Sequence, residues 1–133
     1  MSSAEITLHV EDRVATLLLN RPAKRNALTV AMWQAIPALL DEAARSPHLR
    51  LLIVRGAGGC FAAGADIAEF ADVYATREAA IANHRTIQAA MTALESFPGP
   101  TLAAIEGACV GGGCGLALAC DLRYAALDAR FGV

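Results

Sequence analysis

Two glycine-bearing turns constrain this chain more than any other feature. They are Phe61-Ala62-Ala63-Gly64-Ala65-Asp66-Ile67 and Glu106-Gly107-Ala108-Cys109-Val110-Gly111-Gly112-Gly113-Cys114-Gly115, each placed where a strand ends and a helix opens. Small residues let the main chain come close to a ligand, and the first N–H groups of a helix have no partner within it. Two such turns facing each other form an oxyanion hole, in which N–H groups alone hold a developing negative oxygen. Taken singly, the first turn reads as an ordinary junction with Asp66 capping free N–H groups. The second turn shifts the balance toward a paired site.

The segments around the turns alternate between strand and helix. Two β-like runs at 6–10 and 14–19, separated by Glu11-Asp12-Arg13, predict a hairpin. Thr29 is placed to cap a helix to about Ala44, with Val30, Trp33, Ile36, Leu39 and Leu40 at helical spacing and Pro37 predicting a kink or a break. The apolar run at 49–55 predicts a strand buried on both faces, ended by Gly56-Ala57-Gly58-Gly59. A long helix from about Thr76 to Ser96 would put Ile81, Ile87, Met91 and Leu94 on one side, with Pro98-Gly99-Pro100 stopping it before a strand at 101–105. This order argues an α/β fold with parallel strands joined by crossovers. No repeat, linker or low-complexity segment is visible in the sequence.

Composition excludes several function classes. A formal charge of −2 and 5% aromatic residues offer neither a basic field nor stacking platforms for nucleic acid. No apolar run approaches the roughly 20 residues that span a bilayer, and the amino terminus lacks a signal-like core. A non-secreted, cytoplasmic protein without membrane contact is the expectation. Cys60, Cys109, Cys114 and Cys120 fit no zinc spacing, and His9, His48 and His84 stand apart from them, so no metal is expected and the thiols read as reduced and buried. The glycines at 111–115 satisfy neither GxGxxG nor a phosphate loop ending in Gly-Lys-Ser/Thr, which removes the nucleotide readings.

At the two turns, and from Leu19-Asn20-Arg21-Pro22 through Asn26-Ala27-Leu28 to Asp121-Leu122-Arg123-Tyr124-Ala125, the chain resembles the enoyl-CoA hydratase/isomerase, or crotonase, family. The resemblance implies a spiral of ββα units and an oxyanion hole for the thioester oxygen of an acyl-CoA, with the N–H groups of Ala65 and Gly112 as donors. It implies that coenzyme A enters as part of the substrate, with no permanent cofactor. The coenzyme would be held largely by main-chain groups of Ala63, Ala65, Asp66 and Ile67, with Lys24, Arg25 and Ala27 in the nucleotide-side loop. It also implies a helical carboxy-terminal region, absent from this chain, that makes trimers or hexamers. One incomplete crotonase-like domain over 1–133 is therefore expected.

One departure bears on chemistry. Hydratases of the family read Gly-Gly-Gly-Cys-Glu where this chain reads Gly-Gly-Gly-Cys-Gly, so Gly115 replaces an acid/base glutamate; the family's second glutamate follows a Phe-Gly-x-Pro stretch, and the chain stops at Phe131-Gly132-Val133. Isomerisation with a single base is more compatible with this pattern than hydration. The alternative is a non-catalytic acyl-CoA-binding protein or inactive subunit. Glu69 and Asp72 lie past the first turn as weak acid/base candidates on what reads as an exposed helix face. Glu106 and Asp121 read as packing or capping residues.

Overall fold

The computed structural model describes residues 4–133. Strands β1 (Ile6–Glu11) and β2 (Val14–Leu19) form the expected hairpin, with Ile6 opposite Leu19 and with Asp12 and Arg13 at positive φ in the turn. Strands β3 (Leu51–Gly56), β4 (Thr101–Ile105) and β6 (Leu122–Ala125) extend this into a five-stranded sheet in the order β1-β2-β3-β4-β6. All pairings after the first are parallel, as the strand–helix alternation required. Two shorter strands, β5 (Ala108–Val110) and β7 (Arg130–Gly132), pair separately and in parallel. Isolated bridges Leu28↔Ala65 and Ala62↔Cys109 continue this second layer. Each pass of the chain thus lays one strand into the large sheet and a short extended piece into the small one.

Helix α1 (Val30–Ala44) starts at Thr29, whose Oγ1 accepts the Met32 N–H at 3.1 Å. It buries Met32, Trp33, Ile36, Leu40 and Ala43 against the sheet. The expected break at Pro37 does not occur, because the helix runs on through it. A mid-helix proline costs about 3 kcal/mol, and burying a single large apolar side chain returns roughly 1.5–3 kcal/mol, so four such anchors hold the helix intact.

Helix α2 (Phe70–Val73) is one turn, and α3 (Arg77–Glu95) follows from the Thr76 cap. Only Ala90 and Leu94 of α3 are fully buried; Ile81, expected on the buried side, is 40% exposed. The carboxy-terminal half of α3 packs on the core, with Ile87 and Met91 against it, while its first turns lie beside α2. Strand β3 corrects a second expectation: Leu52 and Val54 are fully buried but Leu51 and Ile53 are only half-buried. The helices cover one face of the sheet, so the apolar run reflects a one-sided core with a less protected second face. Helix α4 (Gly112–Ala119) opens directly from the second glycine turn.

Candidate active site

The two turns lie against each other. Ala62 donates to the Ala108 carbonyl and Val110 donates to the Ala62 carbonyl, each at 3.0 Å, so the turns are zipped by backbone just before they open. Gly64 (φ +101°) and Gly111 (φ +54°) adopt conformations that side chains disfavour. A Cβ on Gly64 would sit 3.2 Å from the Val110 carbonyl oxygen, and one on Gly111 would sit 3.7 Å from the Gly64 Cα. Glycine at both positions permits this main-chain contact.

Within the first turn most donors are committed. Ala63 N–H donates to the Arg25 carbonyl at 3.0 Å, Asp66 N–H to the Leu28 carbonyl at 3.0 Å, and the Gly64 carbonyl accepts Leu28 N–H at 2.8 Å. The N–H groups of Ala65 and of Gly112, the first residue of α4, have no hydrogen-bond partner among the described residues. Two unpaired donors therefore remain on two abutting turns, at the positions named from the sequence. The pairing around Leu28 leaves Ala65 N–H unused because in a parallel bridge the partner strand bonds the residues on either side of it.

The loop that holds the first turn is braced by two residues whose roles the sequence did not reveal. Asn26 is fully buried at φ 56°; its Nδ2 donates to the carbonyls of Ala57 (2.9 Å) and Cys60 (2.7 Å), and its Oδ1 accepts Arg21 N–H at 2.8 Å. Arg21 donates from Nη1 to the Ala27 carbonyl at 2.7 Å and pairs with Glu5 and Asp66, both at 3.2 Å. Asp66 also accepts Ala68 N–H at 3.0 Å, as its cap position predicted. Both bracing residues lie in the quoted motifs, but an arginine or asparagine in a loop carries no sequence signal of burial.

Three cavities surround this scaffold. One of about 360 Å³ is lined by Lys24, Ala27, Ala63, Ala65, Asp66 and Ile67, bringing together six of the seven residues proposed for coenzyme contact. Arg25, the seventh, instead lines a separate space of about 500 Å³ with Arg130 and Cys60, so the two adjacent basic residues point their surroundings apart. A cavity of about 40 Å³ lies between α1, α2 and α3, walled by residues including Leu28, Trp33, Phe70 and Ile87. Ala65 and Asp66 line both the first and this last cavity. The free Ala65 N–H therefore stands where an open groove meets a small, largely apolar chamber.

Side chains that could move protons are few. Glu69 lines the small chamber, yet its Oε1 accepts Val30 N–H at 2.8 Å and so caps α1. Asp72 lines a neighbouring cavity and not this chamber. Asp121 bonds reciprocally with Thr101, its carboxylate accepting the Thr101 N–H and its own N–H donating to Thr101 Oγ1, which is the packing role expected of it. A Cβ on Gly115 would lie 2.6 Å from the Met91 methyl carbon, so a thioether occupies the space where a side chain at Gly115 would begin. Among the described residues no group of three or more His, Cys, Asp or Glu could hold a metal ion.

All four cysteines are free, but the expectation that all are buried holds only for Cys109 and Cys120; Cys114 is half-buried, as is Cys60, which lines the 500 Å³ cavity. Burial pushes the Cys109 thiol up to about 12 and the Cys120 thiol up to about 11, from an ordinary value of 9.0. Both stay neutral and inert at physiological pH. A folded-state pKa raised above the unfolded one stabilises the fold below pH 9.0, and that contribution is lost as pH rises through about 11 and 12. Denaturant titrations should show stability falling above pH 9.0, less steeply in a Cys109→Ala, Cys120→Ala protein; equal slopes would contradict the assignment.

The class of this mixed α/β chain, with its two abutting turns, is specified by comparison with known proteins. The family model for enoyl-CoA hydratase/isomerase matches residues 9–133, and the chain belongs to that family. It is 39% identical over 128 residues to the "Probable enoyl-CoA hydratase" of Bacillus subtilis (strain 168), covering 96% of this chain and 49% of that protein. It is 33% identical over 140 residues to the peroxisomal Delta(3,5)-Delta(2,4)-dienoyl-CoA isomerase of Arabidopsis thaliana, covering 96% and 50%. The crystal structure of an enoyl-CoA hydratase/isomerase family protein from Hyphomonas neptunium superposes with a TM-score of 0.95 at 50% identity, covering 98% of this chain and 50% of that one. The fold is the crotonase fold, and the chain spans about half the length of the relatives it matches.

Proposed function

We propose that this chain carries the oxyanion hole and coenzyme groove of an acyl-CoA-processing enzyme, with the thioester oxygen held by Ala65 N–H and Gly112 N–H. The observation that carries the reading is the pair of unpartnered donors on abutting turns, one of them at the junction of the groove and the apolar chamber. The pantetheine and nucleotide would follow the groove past Ala63, Asp66, Ile67 and Ala27, with Lys24 at its nucleotide side. The acyl group would enter the chamber. Arg25 contributes to this site through its carbonyl, which fixes Ala63, and its side chain has no assigned contact with the coenzyme.

A thioester oxygen held this way stabilises the enolate left when a proton leaves the α-carbon. In a double-bond shift, one base takes that proton, the electron pair moves into conjugation with the carbonyl, and the proton returns at the γ-carbon. Adding water across a double bond needs a group to activate water and a group to protonate the α-carbon. Gly115 supplies neither, and the Met91 methyl beside it makes that corner apolar. Isomerase-type chemistry is therefore favoured over hydration. The same apolar corner favours, as a second reading, an acyl-CoA binder that does no chemistry.

Crotonyl-CoA hydration by the natural protein, run beside a competent hydratase, is expected to be slower by at least 100-fold, the scale of losing one acid/base group. Turnover equal to the control would overturn the isomerase preference. A 3-enoyl-CoA incubated with the protein separates the two readings, since conversion to the conjugated 2-enoyl-CoA supports catalysis and binding without conversion supports the binder. We further propose assembly as a trimer or hexamer in a reducing compartment such as the cytoplasm, which suits four free thiols. Light scattering on the natural protein tests the assembly.

A further inference from the structure

The base of a double-bond shift has to stand close to a donor that holds the thioester oxygen, because the α-carbon is bonded to the thioester carbon. Gly115 has no side chain for the task. Two carboxylates line the chamber that Ala65 borders, those of Asp66 and Glu69. Both oxygens of Asp66 are engaged, Oδ2 pairing with Arg21 at 3.2 Å and Oδ1 accepting Ala68 N–H at 3.0 Å. Glu69 is half-buried and engages one oxygen only, Oε1 accepting Val30 N–H at 2.8 Å. Its Oε2 has no hydrogen-bond or ion-pair partner among the described residues.

One short segment fixes the donor and this carboxylate together. Leu28 N–H donates to the Gly64 carbonyl at 2.8 Å and Asp66 N–H donates to the Leu28 carbonyl at 3.0 Å, so Ala65, between them, is held against the residues that lead into α1. Glu69 is tied to Val30, the first residue of that helix. Both groups are therefore positioned by residues 28–30. A helix cap alone requires the bond from Val30 and nothing further. Glu69 adds a second, unengaged oxygen on the wall of a chamber that also carries an unpaired oxyanion donor.

Building on the acyl-CoA reading above, we propose that Glu69 is the base of the double-bond shift. Its Oε2 takes a proton from the α-carbon of a 3-enoyl thioester, the C–H electron pair moves into a dienolate, and the charge gathered on the thioester oxygen rests on the N–H groups of Ala65 and Gly112. The protonated carboxyl then returns the proton to the γ-carbon. The double bond is left conjugated with the thioester, the carboxylate is regenerated, and no second acid/base group or co-reactant is consumed. Val30 N–H stays on Oε1 throughout and holds the carboxylate in one orientation.

Incubation of the natural protein with 3-hexenoyl-CoA in heavy water tests the proposal, with deuterium at the α-carbon and conversion to the conjugated isomer both read by mass spectrometry and absorbance. In Glu69→Gln the side-chain oxygen still accepts Val30 N–H but neither amide atom is basic, so both rates should fall roughly 100- to 10,000-fold while affinity for unreactive hexanoyl-CoA is kept. A glutamate that only caps α1 would leave both rates near those of the natural protein. Glu69→Ala, which drops the cap as well, serves as the second variant; one cap bond is a small part of a domain's stability, and thermal unfolding verifies that each variant is folded. A fall of less than about 10-fold in either folded variant overturns the proposal, since it is below the range of a lost acid/base group. So does a natural protein that binds hexanoyl-CoA yet neither exchanges nor converts the 3-enoyl thioester. Both results leave the acyl-CoA reading in place, whereas failure of the natural protein to bind either thioester overturns that reading and the proposal together.

Discussion

Gly112→Pro should lower turnover of a CoA thioester by roughly 100- to 1000-fold, the loss expected when one oxyanion donor is deleted. Proline suits the first position of a helix, so α4 itself should form. The added Cβ is the complication, because it would lie 2.8 Å from Trp33 Cζ2 and 3.3 Å from Cη2, and Trp33 is nearly fully buried. Gly112→Ala separates the two effects, since it adds the same Cβ and keeps the N–H. Overpacking of this kind costs about 1–3 kcal/mol of stability in both variants. Turnover in the proline protein should fall well below that in the alanine protein. If the two are equally impaired, Trp33 crowding explains the loss and Gly112 is not a donor.

Asn26→Asp should cost about 3 kcal/mol of folding stability, measured by urea denaturation. The substitution keeps the oxygen that accepts Arg21 N–H but sets a second oxygen against the Ala57 and Cys60 carbonyls, which now receive two donated hydrogen bonds. The site is fully buried, so water cannot take over those contacts. The left-handed backbone at Asn26 suits aspartate as it does asparagine, which leaves the lost donors and the buried carboxylate as the sources of the effect. Because the same loop holds Ala63 through the Arg25 carbonyl and Gly64 and Asp66 through Leu28, thioester affinity should fall with stability. A stability change under 1 kcal/mol would show that Asn26 does not brace the two loops.

These expected losses fall on residues of different legibility. Gly112 and Ala65 were legible together, because two glycine-bearing turns stand out in the sequence and the family resemblance implies a donor at each motif position. Asn26 stood only as part of a motif. Its role depends on Ala57 and Cys60, which are more than thirty residues away, and no local pattern reports such a contact. Met91 is similar: its helical spacing marked it as apolar-face, but that its methyl group sits over Gly115 follows from how α3 packs on α4.

The sequence by itself determined the strand–helix alternation, the β1–β2 hairpin, the helix cap at Thr29 and the placing of the two glycine-bearing turns, because each rests on local chemistry: apolar patterning, a side-chain oxygen at a helix start, or glycine where the backbone must turn. Tertiary structure decided the rest. It kept α1 continuous through Pro37 because burial of its apolar face outweighs the local penalty. It left one face of β3 half-open because helices cover only the other. It separated Arg25 from Lys24, adjacent in the chain but lining different cavities. The repeated unit, invisible as sequence similarity, appears only when successive passes stack a strand into the large sheet and an extended piece into the small one. That stacking is specified by hydrogen bonds between backbones far apart in sequence, which almost any side chains permit, and so it leaves little trace in the order of residues.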